Sequence, residues 1–407
     1  MSPTLIILLL LIAGGAGLYY YYNLTPGSKA SLKTRYSDGL DLLMAGHRRE
    51  AYQHFKSIME KDSNNVKAYL KLGQVMREGG NPKQALKVHT SLSIRLKLTT
   101  FEKTELHKNL ALDHDALNDT DNAISEVENV LKLNRQNEWA LSHLIEFYKK
   151  KNEWEFASKY LLQFQEVTQS QDSHLVALYK IQEGRVALDN KDYTNARKLF
   201  EESLNIDPEV NSAYLFLGNS YADESETAYR LAVNLDEKEF QTPDEKQQYN
   251  EFVSNAKQQL ARAIPMWIQY SENDPEGSWL VLSKLKDALY ALNRFNEIED
   301  ILKSILRKDP DNVDALSSLA DFYNQKGARS EALEMIDSAL EKQPNSLIAN
   351  LIKMKLSSYK GDLTQLRTGC DSLMDLFMKD SYLTSNEHRQ NADITWLRKN
   401  GLNPQAL

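Results

Sequence analysis

The sequence has little glycine, proline or cysteine, the residues that most often interrupt or crosslink a chain. Its 407 residues include 16 glycines, 10 prolines and one cysteine, Cys370. So few turn-forming residues disfavour a fold of many short strands and favour long helices. A single thiol can form neither an internal disulfide bond nor a zinc site of clustered cysteines. We therefore predict an all-α fold that holds no metal.

A positive net charge and the common enzyme motifs are also missing. The net charge is −8, so the chain lacks the basic footprint of a nucleic-acid-binding protein. The glycines in residues 79–82 (GGNP) fit a turn between two helices better than a phosphate loop. His107 and His114 share a helix face, which alone is a weak metal signal. Cys370 is expected to be buried and inert. We predict a protein that is not an enzyme and has no cofactor.

One long apolar run stands at the start of the chain. Residues 5–22 read LIILLLLIAGGAGLYYYY and carry no charge, a length that just crosses a bilayer. The tyrosines at 19–22 suit the membrane–water interface. A cleaved signal peptide is the alternative, but no basic residue precedes the run and its small residues lie before the tyrosines. We predict a transmembrane anchor at 1–23 and a linker at 24–31.

The charges beside this run indicate its orientation. Lys29, Lys33 and Arg35 follow the run, whereas no basic residue precedes it. Positive residues favour the cytoplasmic side of a membrane. We therefore expect a single-pass protein of the inner (cytoplasmic) membrane, with the large C-terminal part in the cytoplasm.

Residues 32–378 repeat with a period of roughly 34, the length of a tetratricopeptide repeat, a helix–turn–helix unit. About ten such units are predicted, several of them degenerate. The clearest spans residues 313–344 and places small and bulky apolar residues at fixed positions of its two helices. These are Leu316, Leu319, Ala320, Tyr323, Ala332, Ile336 and Ala339. Because one helix pair cannot bury its apolar face alone, stacked pairs are expected to share a continuous core.

Other units depart from this pattern. The sixth is expected to be short, because Tyr229 and Ala232 arrive early, and a seventh is expected to end near Trp267. A weak tenth unit is predicted at 347–378. The tail, 379–407, is expected to cap the exposed end of the last repeat.

Stacked tetratricopeptide repeats form a right-handed superhelix, whose first helices line a concave surface. We expect this surface to bind a segment of another protein, with polar side chains holding the peptide backbone. The predicted groove residues are Lys67, Gln74, Arg77, Lys108, Leu112, Asp115, Arg185 and Asn219.

Part of the repeat region resembles a particular family. Residues 72–92 read LGQVMREGGNPKQALKVHTSL, with His89, expected to be half-buried, where most repeats have an aromatic ring. This stretch resembles the lipopolysaccharide assembly protein B family, and the resemblance spans residues 1–378, weakening after about residue 225. It implies a membrane helix followed by cytoplasmic repeats. It also implies an adaptor that works with a membrane-bound ATP-dependent protease, which degrades an enzyme of the lipid A pathway.

The chain departs from that family at its C-terminus. The family ends in a rubredoxin-like metal tab with two Cys-x-x-Cys pairs, whereas no cysteine follows Asp380 here, and a thiolate site needs four ligands. Regulation through such a tab is therefore in question. The alternatives are a scaffold for pilus, secretion or cell-wall assembly, and a periplasmic repeat protein if the N-terminal run is cleaved.

Overall fold

The computed structural model describes residues 28–95, 97–236, 242–358 and 369–370. In these ranges the chain is built from α-helices, one short 3₁₀ helix and turns. No helix among them combines the length and the apolar character that a membrane crossing requires. The predicted anchor at 5–22 and the predicted tail at 379–407 lie outside the described residues.

The chain divides into two compact units. Unit 1 comprises Met1–Lys151 and Gln163–Gln169, and unit 2 comprises Asn152–Leu162 and Ser170–Leu407. The helices of unit 1 are α1 Ser28–Met44, α2 Arg48–Lys61, α3 Val66–Glu78, α4 Pro82–Arg95, α5 Thr100–Ala116, α6 Thr120–Leu133 and α7 Glu138–Lys150, and α8 Trp154–Thr168 is divided between the units.

Unit 2 continues with longer and shorter helices. They are α9 Ser173–Asp189, α10 Tyr193–Ile206, α11 Ser212–Asp236, α12 Pro243–Asn273, the 3₁₀ helix Glu276–Ser278, α13 Trp279–Ala291, α14 Glu297–Lys308, α15 Val313–Gln325, α16 Arg329–Lys342 and α17 Leu347–Ser358.

Successive helices contact each other in pairs, as a helix–turn–helix repeat requires. In unit 1, α1 packs on α2, α3 on α4 and α5 on α6; in unit 2, α9 packs on α10, α11 on α12, α13 on α14 and α15 on α16. The first helices of neighbouring pairs also touch, namely α3 with α5, α9 with α11, α13 with α15, and α15 with α17. The chain is therefore an all-α helical repeat protein, while the handedness of the superhelix stays a prediction.

The turns inside the pairs use left-handed residues. Gly46, Gly80 and Gly327 have φ near +80°, and Asn118 and Asn293 take the same place with φ of 59° and 57°. Glycine and asparagine reach this region at the lowest cost, and such a residue ends a helix by turning the chain back. Some of the few glycines in the sequence therefore serve to end helices.

A second set of glycines lies inside first helices, where an aromatic ring of the second helix rests on the backbone. A Cβ added to Gly184 would lie 2.5 Å from the Phe200 ring, and one added to Gly218 would lie 2.4 Å from the Trp267 ring. Contacts this short leave no room for a side chain. The ring and the glycine therefore fix the close packing of these two pairs.

This contact corrects the prediction for the sixth and seventh units. The sequence suggested a short unit followed by a degenerate one, but the structure has a single pair, α11 with 25 residues and α12 with 31. Trp267, expected in the later unit, lies on Gly218 of the earlier one. Helical periodicity shows which residues face a core, but not which helix supplies the other side.

Two smaller expectations also differ from the structure. Cys370 is exposed rather than buried, because its neighbour Gly369 takes the packing position against Met354. The helix α1 begins at Ser28, inside the range 24–31 that was predicted as a linker.

Candidate functional site

Six of the eight predicted groove residues lie on the first helices of unit 1. Lys67, Gln74 and Arg77 are on α3, and Lys108, Leu112 and Asp115 are on α5. Their spacing of three, four or seven residues keeps each set on one side of its helix. We call this side of α3, α5 and α7 the A face.

The A face is polar and partly open to solvent. Lys67 is exposed, and Gln74, Lys108, Leu112 and Asp115 are partly exposed. Gln74 accepts a hydrogen bond from Lys71 and donates one to Glu78, so its amide is already engaged with its own helix.

Arg77 is held in place by a buried ion pair that the sequence analysis did not predict. Its Nη1 lies 2.8 Å from Oδ1 of Asp113 on α5, and only 13% of the Arg77 side chain is exposed. The other carboxylate oxygen of Asp113 lies 2.5 Å from Nδ1 of His89. The Nε2 of His89 lies 3.1 Å from the Leu70 carbonyl oxygen. Three consecutive helices are thereby joined through one carboxylate.

The environment of His89 corrects a second expectation. His89 was predicted to be half-buried, whereas both His89 and Asp113 are fully buried. The imidazole lies directly over Gly73, where an added Cβ would come within 2.2 Å of Nε2. A charged group is rarely buried without a partner. The histidine at an aromatic repeat position was the one signal in the sequence that a buried polar partner lay nearby.

An aromatic cluster continues the A face on α7. The rings of Trp139 and His143 stack with centroids 3.9 Å apart, and Nζ of Lys108 lies 5.4 Å from the Trp139 ring centroid. Burial lowers the pKa of His143, which favours the neutral imidazole near pH 7. Lys150 of α7 pairs with Asp115 of α5 at 2.6 Å. The face thus offers cations, a carboxylate and aromatic surface together.

The histidines considered as metal ligands have other partners. Nδ1 of His107 lies 2.6 Å from Glu126, and Nδ1 of His114 lies 3.1 Å from Asp119. Across the ranges that the structure describes, no group of three or more histidine, cysteine, aspartate or glutamate side chains is arranged to hold a metal ion.

The two remaining predicted residues belong to unit 2. The Arg185 guanidinium lies 5.1 Å from the centroid of the Phe216 ring. Asn219 accepts hydrogen bonds from Nε1 of Trp267 at 3.3 Å and from Nζ of Lys284 at 3.0 Å. Its side-chain oxygen is therefore engaged with neighbouring helices of the same unit.

A second bridging carboxylate joins the first helices near the C-terminal end of unit 2. Asp321 on α15 pairs with Lys355 on α17 at 2.5 Å and with Lys286 on α13 at 3.5 Å. Only 11% of the Asp321 side chain is exposed. Both units thus use an acid on one first helix to tie down basic side chains of its neighbours.

Comparison with protein families identifies the repeat. A family model described as tetratricopeptide repeat matches residues 289–354, and a second model of the same description matches residues 179–210. The matches confirm the repeat prediction for these ranges. They give no support to the more specific resemblance to the lipopolysaccharide assembly family. No curated protein matches the chain.

Solved repeat proteins show partial structural similarity. A tetratricopeptide repeat protein from Parabacteroides merdae is 16% identical over 65% of this chain and 99% of its own, with a TM-score of 0.34. YrrB, described as having an unusual peptide-binding site, is 19% identical over 56% of this chain and 97% of its own, with a TM-score of 0.30. Part of a repeat protein from Cytophaga hutchinsonii is 16% identical over 70% of this chain and 99% of its own, with a TM-score of 0.34.

Proposed function

The chain is a tetratricopeptide-repeat protein, and we propose that it is a scaffold that holds an extended segment of another protein on the A face. The observation that carries the proposal is the convergence of Arg77, Lys108, Asp115 and Trp139 from three neighbouring helices. Such groups can bind a peptide's carbonyl oxygens, its amides and an apolar side chain. Because Asp113 already orients Arg77, less conformational entropy is lost on binding.

We also propose that the scaffold is anchored in the inner membrane through residues 5–22, with its repeats in the cytoplasm. The support is the uncharged run, its closing tyrosines and the basic residues that follow it. A reporter fused to the C-terminus tests the orientation. Activity of a cytoplasmic reporter is expected, whereas periplasmic activity or a cleaved N-terminus would reject the anchor.

The process we propose is regulation of lipopolysaccharide synthesis, as an adaptor for a membrane-bound ATP-dependent protease or a lipid A enzyme. The support is the resemblance of residues 72–92 to the assembly family. The alternative is another envelope process, such as pilus, secretion or cell-wall assembly.

A crosslinked pull-down from membranes of the native host, through a C-terminal tag, tests both levels of the proposal. Three forms are compared: the natural protein, the A-face variant Lys67→Glu/Lys108→Glu, and a control variant Lys83→Glu/Lys87→Glu. The control makes the same charge change on exposed residues of the second helix α4. We expect partners that are retained by the control variant and lost by the A-face variant.

The identity of those partners decides the process. A membrane protease or lipid A enzymes would support the lipopolysaccharide role, and pilus, secretion or cell-wall components would replace it with the alternative. Equal recovery of all partners by the A-face variant would show that the A face is not the binding surface.

A further inference from the structure

The pair α11–α12 is longer than the helix that packs beside it. α11 has 25 residues and α12 has 31, whereas α13 has 13. Ile264 and Trp267 of α12 share one core with Val281 and Leu285 of α13. A helix rises about 1.5 Å per residue, so the longer pair continues past the C-terminal end of α13.

An apolar cleft lies at this position. It has a volume of about 490 Å³ and is partly open to solvent, and Ala291 and Leu292 at the end of α13 are among its lining residues. One wall is the α11 face that includes Ala222 and Tyr229, and the other is the α12 face that includes Val253 and Leu260. The residues of each wall are seven apart, so each wall is a single helix face. Tyr229 is 57% exposed.

The α12 face of the cleft continues the face that holds α13. Leu260 contributes both to the cleft and to the core against which α13 packs, where it adjoins Ile264. One part of this α12 face therefore binds a helix within this chain, and the part that lines the cleft is likewise mainly apolar. Helix-in-groove recognition uses apolar anchors spaced three, four and seven residues apart, a spacing that the cleft walls complement.

We propose that this cleft binds an amphipathic helix of a partner protein, which lies end to end with α13. The cleft also distinguishes the two edges of that helix. Lys257 stands on the α12 wall, so the partner helix carries acidic residues toward α12. Glu226 on the α11 wall is already paired with Arg230 at 2.5 Å, so that edge of the partner helix needs no matching charge. The site is separate from the A face of unit 1 and does not depend on it.

The probe for the test is a fluorescein-labelled, hydrocarbon-stapled peptide with the sequence of residues 279–292. This sequence carries the apolar stripe that the continuous face already holds. Its binding to the full chain is measured by fluorescence anisotropy. We expect saturable binding that the cleft variants Val253→Asp and Tyr229→Ser weaken about tenfold or more. Tyr229 is exposed enough for its replacement to leave the fold intact.

The matched control is Leu231→Asp. Leu231 lies on α11 and is 45% exposed, but it does not line the cleft. Retained binding by this variant assigns the loss to the cleft. If the peptide displaced α13 instead of entering the cleft, its binding would not depend on Val253 or Tyr229. An equal affinity of all variants for the peptide therefore overturns the proposal, as does a failure of the natural protein to bind the peptide.

A second copy of the chain is the competing occupant. Light scattering of the natural protein and of Val253→Asp at equal concentration distinguishes it. A dimer that the variant converts to a monomer would assign the cleft to self-association and overturn the partner-helix proposal. A mass that is unchanged by the substitution, together with peptide binding, supports it.

Discussion

Replacing His89 by phenylalanine should destabilise the α3–α5 region, although Phe55 and Phe200 fill the equivalent position over a glycine in two other pairs. The ring itself would fit. Asp113, however, would keep Arg77 and lose its second partner in a fully buried position. A hydrogen bond to a charged group contributes about 1.5–3 kcal/mol. Phenylalanine recovers part of this by apolar burial, so we expect a loss of about 2 kcal/mol.

A second substitution separates the ion pair from the packing. In His89→Phe/Asp113→Leu the buried acid is gone, and Arg77, which is 13% exposed, can turn toward solvent. Replacing buried charges with apolar groups of similar volume is often neutral or stabilising. We expect the double variant to recover to within about 1 kcal/mol of the natural protein, which gives a coupling energy of at least about 1 kcal/mol in the double-mutant cycle.

Hydrogen exchange followed by mass spectrometry is the suitable assay, because repeat arrays open locally rather than all at once. A loss of about 2 kcal/mol corresponds to exchange about thirtyfold faster in peptides from α3, α4 and α5. Peptides from α15 and α16 serve as the internal reference. If the single variant exchanges no faster than the natural protein, or if the double variant is no better than the single one, the buried pair does not have the role assigned to it.

Three further predictions concern unit 2. In Gly184→Ala, the added methyl group overpacks against the Phe200 ring on α10, which costs about 1–3 kcal/mol and outweighs a gain in helix propensity of about 1 kcal/mol. Faster hydrogen exchange in α9 and α10 is expected, and unchanged exchange would contradict the close contact. Hydrogen bonds from Lys303 and Lys326 hold the pKa of Glu299 at about 2, below its ordinary value of 4.5, so the stabilisation is present above pH 4.5 and is lost as the pH falls toward 2. An NMR titration should show this midpoint, and Lys326→Ala should raise it. Asn312→Ala removes both the N-cap of α15 and a hydrogen bond to the Pro275 carbonyl. The local stability of α15, measured by hydrogen exchange, should therefore fall by about 1–2 kcal/mol. A fall of only about 0.3 kcal/mol would show that solvent replaces both bonds.

Much of the repeat architecture could be predicted from the sequence, because each unit carries its own local signals. In the unit at 313–344 the apolar spacing predicts two helices with a turn between them, and the structure places α15 and α16 there. Most of the predicted groove residues on α3 and α5 are at least partly exposed on one face, since helical spacing alone determines which residues share a side.

The bridging interactions could not be predicted in the same way. Arg77 and Asp113 are 36 residues apart, and their pairing depends on how two first helices stack. Asp321 likewise meets basic side chains on two different helices. The sequence shows that such residues are charged. It does not show which of them meet, because these contacts form only when the helix pairs pack together.

The sequence by itself determined the all-α repeat class, the two-helix unit at 313–344 and the turn at 79–82, because these follow from local backbone preferences and a short period. Only the tertiary structure decided that Trp267 rests on Gly218, that α11 and α12 form one long pair, and that His89 and Asp113 are buried together. These features depend on which helix lies opposite, and contacts between residues distant in the chain are selected by the packing of the whole unit rather than by local periodicity.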